Sequence, residues 1–151
     1  MKIAILQGNS ESQITTTTKW HDLLLQNGHE VSVFPFQSAD CVAQMDQLLH
    51  AESDLVLAYR LDILSIGMTG GDYYINKLFQ PVLICLDQPL GEDIHLLEKR
   101  MNISILFYST IQSDVETIRN LPQPLFAGYV SNYEDPEALI KRSQIDLYED
   151  I

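Results

Sequence analysis

The chain opens with the apolar run Lys2–Leu6 (KIAIL), and the polar segment Gln7–Ser12 (QGNSES) follows at once. A near-continuous apolar run that stops at a cluster of Gly, Asn and Ser residues predicts a buried parallel strand that ends in a loop. A helical pattern over residues 14–26 comes next. In open α/β sheets, ligands bind beyond the carboxyl ends of the strands, where the strand order reverses. The stretch therefore predicts the kind of fold and the edge of the sheet at which a site should lie.

The same alternation of strand and helix patterns continues along the chain. The predicted strands cover residues 2–6, 29–36, 55–59, 81–86, 102–108 and 125–130. The predicted helices cover residues 14–26, 41–49, 72–79 and 92–100, a helix capped by Ser113, and a last helix that ends near residue 148. This succession predicts a single Rossmann-like α/β domain over residues 1–151. It is expected to be a three-layer α/β/α fold, Rossmann-like or flavodoxin-like, with an open parallel sheet of about five or six strands.

The expected strand order is 3-2-1-4-5, with the sixth strand beyond the fifth. This order places the reversal of strand order, the switch point, between strands one and four. The sixth strand, residues 125–130, would then leave an exposed edge. An unpaired edge is a surface that a second copy of the chain can cover, so a homodimer is one expectation.

The composition is that of an ordinary globular protein, with 46% hydrophobic and 20% charged residues among 151. No apolar run approaches the roughly 20 residues that span a bilayer. The sequence goes directly into a strand pattern and shows no signal-peptide layout. These features predict a cytoplasmic protein that does not enter a membrane.

The net charge is −12, from 21 acidic and 9 basic residues. Binding to a nucleic-acid backbone requires clustered Lys and Arg side chains, so no nucleic-acid partner is expected. An acidic face can instead dock on a basic protein. The alternative interpretation of the chain is therefore a non-enzymatic acidic interaction module, regulatory or inhibitory, on a flavodoxin-like scaffold. Its candidate surface is an acidic C-terminal patch made of Asp135, Glu137, Asp146, Glu149 and Asp150.

The cysteines and histidines carry no recognisable chemistry. Cys41 falls in a predicted helix and Cys85 in a predicted strand, which is typical of buried, reduced thiols. The chain has no CxxC pair, no HExxH motif, no GxSxG elbow and no metal-ligand spacing of its histidines. No metal site is therefore predicted, and the sequence leaves the cofactor unknown.

Three loops are expected to converge at the switch point: residues 8–10, 59–71 and 87–89. Gly8, Asn9 and Ser10 can offer backbone N–H groups to an anion at the N-terminus of the first helix. They match neither a GxGxxG fingerprint nor a Walker P-loop, and an ordinary capping loop is the alternative.

Asp87 is the predicted catalytic residue because it stands at the carboxyl end of a strongly apolar strand. A carboxylate in that position can act as a general base or bind sugar hydroxyls. The alternative is a turn-forming Asp that hydrogen-bonds its own backbone. The remaining predicted ligand-binding residues belong to the same loops: Tyr59, Arg60, Gly70, Gly71 and Gln88. Arg60 is a possible anion ligand, whereas two adjacent glycines either let the chain approach a ligand closely or only turn it.

Four segments carry a resemblance to a known family: Met1–Ile5, Asn27–Val31, Ser53–Leu57 and Leu86–Pro89. In their order along the chain they resemble the N-terminal, acceptor-side half of GT-B glycosyltransferases, including the phage DNA glucosyltransferase type. The resemblance implies a glycosyltransferase-like domain that binds a nucleotide or a sugar at the carboxyl ends of the strands. In that family a second Rossmann-like domain holds the nucleotide-sugar donor. Whether this chain is an enzyme is therefore left open, and a transferase would need a second domain or subunit.

Overall fold

The computed structural model describes residues 1–35, 46–48, 50–60, 80–97, 105–122 and 125–149. Its strands are β1 (Lys2–Gln7), β2 (Glu30–Pro35), β3 (Leu55–Tyr59), β4 (Val82–Leu86), β5 (Ile105–Ser109) and β6 (Phe126–Tyr129). Its helices are α1 (Glu11–Gln26), α2 (Ile94–Leu97, after a 3-10 turn at Gly91–Asp93), α3 (Gln112–Arg119) and α4 (Pro136–Glu149). The predicted class is confirmed, because every strand pairs in parallel in one open sheet flanked by helices.

The predicted strand order was wrong. The sheet runs β2-β1-β3-β4-β5-β6, so β3 lies beside β1 and the switch point is between β1 and β3. Burial explains this order. All five residues of β3 are buried, which requires a neighbour on each side and a helix layer on each face. The residues of β2 alternate between exposed and partly buried, which suits an edge strand.

Two hydrophobic cores lie on opposite faces of the sheet, because successive strand residues point to opposite sides. On one face Trp20 and Leu24 of α1 pack with Leu139 and Ile140 of α4 against the sheet. On the other face the sheet packs against side chains from residue 48, α2 and α3. The site described below lies on the side of α1 and α4.

Helix boundaries differ from the sequence pattern at several points. α1 begins at Glu11 rather than near residue 14, because Ser10 caps it. α3 begins at Gln112 after Ile111, so Ser113 is inside the helix and is not its cap. The predicted helix over residues 72–79, most of the one over 41–49 with Cys41, and residues 98–100 lie outside the described residues. None of the helices that the structure describes is long and apolar enough to cross a membrane.

β6 is an edge strand, and two arginines bind its backbone. Arg119 of α3 donates from Nε to the carbonyl oxygen of Ala127 at 2.6 Å. Arg142 of α4 donates to the carbonyl oxygen of Tyr129, and its guanidinium lies 5.2 Å from the centroid of the Tyr108 ring. A Cβ atom at position 128 would collide with Arg142, so Gly128 leaves room for this side chain. Charged side chains therefore cover the edge from both faces.

Candidate functional site

Asp87 follows β4 at the carboxyl edge of the sheet, and two residues from the end of β3 hold its side chain. The Tyr59 hydroxyl donates to Oδ2 of Asp87. Arg60 donates from Nε to Oδ1 at 3.2 Å. These contacts join neighbouring strands, since Tyr59 is in register with Cys85. The Asp87 side chain thus binds the next strand, which a residue serving only its own turn would not do.

The backbone at Arg60 has a left-handed conformation, with φ of 78°. This conformation costs a non-glycine residue on the order of 1 kcal/mol or more and is found repeatedly at binding sites. The Arg60 N–H donates to the carbonyl oxygen of Cys85 at 2.7 Å, so the turn is fastened to β4. Its guanidinium carbon lies 5.1 Å from the centroid of the Tyr59 ring. The turn and this stacking together point the guanidinium at Asp87.

Tyr59 stays protonated and so remains a hydrogen-bond donor. Burial raises its pKa, and the hydrogen bond to the Asp87 carboxylate and the negative charge of that group raise it further. Burial lowers the pKa of the Arg60 guanidinium, but the hydrogen bond and negative charge of Asp87, together with a smaller contribution from Tyr59, raise it by more. Asp87 therefore has a neutral donor on one oxygen and a cation on the other.

A cavity of about 580 Å³ opens beside this group, between α1 and the segment that precedes α4. It lies over the ends of β3, β4 and β5, next to the switch point. Its described lining consists of Thr16, Lys19, Trp20, Tyr59, Asp87, Thr110, Ser131, Asn132, Tyr133 and Glu134. Most of these side chains are neutral hydroxyl, amide or aromatic groups.

Three aromatic side chains form one wall of the cavity. The ring of Trp20 meets those of Tyr59 and Tyr133 edge-on, at centroid distances of 5.6 and 6.4 Å. Trp20 also donates from Nε1 to the carbonyl oxygen of Tyr133 at 2.8 Å. The polar tips of all three residues bond within the protein, so the wall is fixed in place.

Tyr133 fixes the segment 131–134 to the sheet. Its hydroxyl oxygen lies 2.6 Å from the carbonyl oxygens of both Leu86 and Tyr108, and it accepts from the N–H of Leu86 at 3.0 Å. Burial raises the pKa of this phenol, so the hydroxyl keeps the proton that these bonds need. The segment that closes the cavity is therefore held at the ends of both β4 and β5.

The loop after β1 caps the N-terminus of α1. Ser10 and Gln13 form a capping box, in which the Ser10 hydroxyl accepts from the Gln13 N–H and the Ser10 N–H donates to Gln13 Oε1. The Gln13 side chain also donates to the carbonyl oxygen of Tyr59 at 3.3 Å. Gly8 leaves room for this side chain, since a Cβ there would collide with it.

The structure therefore separates the predicted site residues into groups. Tyr59, Arg60 and Asp87 come together beside the cavity. Ser10 caps α1 and Gly8 leaves room for Gln13, and neither of them nor Asn9 is among the described residues of the lining. Gln88 is exposed and is likewise absent from that lining, whereas Gly70 and Gly71 lie outside the described residues.

Sequence reasoning missed the segment 131–134 and the face of α1 that carries Thr16, Lys19 and Trp20. The sequence pattern predicts only that this segment precedes the last helix. A usable signal was present, because it follows β6 and so has to begin at the same carboxyl edge as the other loops.

No group of three or more His, Cys, Asp or Glu residues that could hold a metal ion occurs within the described part of the chain. No protein-family model matches the chain, and no curated protein matches it.

Proposed function

We propose that this chain is a glycosyltransferase-like domain that binds a nucleotide or a sugar in the cavity beside Asp87. The observation that supports the proposal is the cavity itself, which joins a fixed carboxylate, an aromatic wall and several neutral polar groups at the carboxyl edge of the sheet. Its volume of about 580 Å³ falls within the range of small-molecule sites. The cavity lies beyond the carboxyl ends of the strands, which is the side on which open α/β sheets bind their ligands.

Asp87 orients the ligand in this proposal. A carboxylate offers about four lone-pair sites, and those of Asp87 that Tyr59 and Arg60 leave open can accept from hydroxyl groups of a ligand. In a transfer reaction the Asp87 carboxylate would act as general base and take the proton of an attacking hydroxyl. Donor binding would then come from a second domain or subunit, as the resemblance to the acceptor-side half of GT-B enzymes implies.

A thermal-shift screen against nucleotides, nucleotide sugars and free sugars tests the proposal. A ligand that binds only the folded state, at a hundredfold excess over its Kd, adds about 2.7 kcal/mol of stability. We expect a shift with wild-type protein and a strongly reduced shift with Asp87→Asn. Asp22→Asn is the matched control, because Asp22 is an exposed carboxylate on α1 outside the described lining.

A full shift that survives in Asp87→Asn would contradict the role of Asp87. No shift from any nucleotide or sugar would contradict the proposal as a whole and favour the acidic interaction module. A pull-down with basic proteins would then be the next experiment.

The structure already assigns internal partners to much of the acidic patch on which that alternative depends. Glu137 bonds His29 at 2.7 Å, and Asp135 accepts from the N–H of Ala138 at the start of α4. Asp146 accepts from the Tyr108 hydroxyl at 2.7 Å and lies 3.4 Å from Arg142. The side chain of Glu149 and all of Asp150 lie outside what the structure describes. These internal contacts leave the cavity as the better supported site.

A further inference from the structure

We infer that the ligand of the cavity is an uncharged sugar rather than a nucleotide or another phosphorylated compound. The inference rests on the proposed function, because it names the chemical class of the small molecule that the cavity binds.

The charges around the cavity balance one another. Asp87 is paired with Arg60, and the other ionised groups of the described lining are Lys19 and Glu134, which have opposite charge. A nucleoside diphosphate carries several negative charges and needs cations or N–H groups in excess. The described part of the site supplies only one cation that is not already in an ion pair, and the whole chain has a net charge of −12. An uncharged ligand does not need these additional cations.

The position where an α/β fold usually holds a phosphate is also filled. A phosphate would bind the N–H groups of the β1–α1 loop at the N-terminus of the first helix. Here the Gln13 side chain occupies the space above Gly8, and its Oε1 accepts from Ser10 N–H at 3.1 Å. Gln13 is buried and also bonds the end of β3, so it is fixed in place. In addition, Glu11 puts a negative charge on the first turn of α1.

The groups that remain are suited to sugar hydroxyls. Thr16, Thr110 and Ser131 can each donate and accept, and Asn132 adds an amide. Asp87 is a fixed acceptor that is about one quarter exposed. Trp20 and Tyr59 are buried behind the aromatic wall, and the partly buried ring of Tyr133 is its apolar surface for the C–H face of a sugar ring. The site thus pairs a few directed polar groups with an apolar wall, without an anion-binding element.

Matched ligands test this inference. We would measure Kd by isothermal titration calorimetry for wild-type protein with N-acetylglucosamine, glucose, galactose and lactose, and with the 1-phosphates and uridine diphosphate derivatives of the monosaccharides. We expect at least one free sugar to bind, and its 1-phosphate to bind about tenfold or more weakly. The sugar affinity should not change with salt concentration, since no ion pair forms with the ligand.

Three variants make the result specific. Asp87→Asn should weaken sugar binding about tenfold or more, because it removes a charged acceptor. Thr110→Val tests the same prediction in a variant that keeps the Asp87 ion pair. Asp22→Asn changes an exposed carboxylate of α1 outside the described lining, so it is the matched control and should leave the sugar affinity within about twofold. Thermal melting of each variant reports whether the fold is intact.

The possible failures are distinguishable. If nucleotides or sugar phosphates bind more tightly than free sugars, and Lys19→Met abolishes that binding, the inference is overturned while the proposed function stands. If no sugar, nucleotide or sugar phosphate binds, both the inference and the proposed function are overturned.

Discussion

Two loops at the carboxyl edge of the sheet carry predicted site residues, and their polar side chains form different contacts in the structure. In the loop after β1, Ser10 and Gln13 hydrogen-bond each other and form the start of α1. At the ends of β3 and β4, Tyr59, Arg60 and Asp87 bond across strands and border a cavity. Short polar side chains next to a helix start are readily used by the backbone of that helix. A polar residue at the end of a strand is therefore free to bind a ligand only where its side chain does not cap the following helix.

Trp20 lies in the wall of the cavity beside Asp87, and its loss should have the largest effect on stability. It is 1% exposed and contacts both Tyr59 and Tyr133. We expect Trp20→Ala to lower the free energy of unfolding by about 3–5 kcal/mol, measured by urea denaturation. Leu25→Ala is the control on the same helix, because Leu25 is exposed, and it should cost about 0.5 kcal/mol or less. Equal costs for the two variants would show that Trp20 does not support the cavity wall.

Gln13 holds the loop after β1 by its hydrogen bonds, and its removal should have the next largest effect on stability. Gln13→Ala leaves the Ser10 N–H and the Tyr59 carbonyl without the partners described above. We expect a loss of about 1–3 kcal/mol in the free energy of unfolding. Gln26→Ala changes an exposed glutamine of the same helix and should cost little. If Gln13→Ala is as stable as Gln26→Ala, the loop after β1 is not held closed by this side chain.

Alkaline pH should lower the stability of the protein through Tyr133, which lies in the wall of the cavity. Burial raises the pKa of Tyr133 above the value of about 10 that a tyrosine has in the unfolded chain. The stabilisation is therefore complete below pH 10 and is lost as pH rises from there towards the pKa in the folded protein. Each such tyrosine makes stability fall by up to about 1.4 kcal/mol per pH unit in that range.

Urea denaturation at a series of pH values above 9 measures this slope. Tyr133→Phe has no ionisable group at this position, so its stability should fall less steeply than that of wild-type protein. An unchanged slope would show that Tyr133 is not protected from ionisation by the fold.

The smallest effect concerns the hydrogen bond between Tyr59 and Asp87. Tyr59→Phe removes the donor and should cost about 0.5–1.5 kcal/mol. A double-mutant cycle with Asp87→Asn isolates the coupling of the two side chains, because residues in contact are not additive. Additivity within about 0.3 kcal/mol would indicate that the two side chains act independently, and the cross-strand contact would then not organise the site.

The strand positions could be predicted from the sequence, but their order could not be read from the pattern of β1 alone. Buried strands are recognisable from apolar runs, and β1, β3 and β4 lie where such runs occur. Two features that bear on the order were present and were not used. The alternation in Glu30–Pro35 is typical of an edge strand, and the fully apolar Leu55–Tyr59 is typical of an interior strand.

The site was predictable in part for a similar reason. Asp87, Tyr59 and Arg60 were found because each directly follows or ends a strand. Tyr133 was not found, because it lies four residues beyond β6 and its role depends on bonds to residues 25 and 47 positions away. Such contacts exist only once the sheet is assembled, so no local pattern marks them.

The arginines at the edge of the sheet affect whether another strand can add to β6, and so whether the protein can associate with itself. Arg119 and Arg142 use carbonyl oxygens of β6 that a seventh strand would need. A homodimer that formed through this edge would have to displace both guanidinium groups, and Arg142 is also held by Asp146. Two side chains therefore prevent the sheet from adding a seventh strand. Replacing both with alanine should free the carbonyl oxygens of β6 for pairing with another chain, and so promote aggregation.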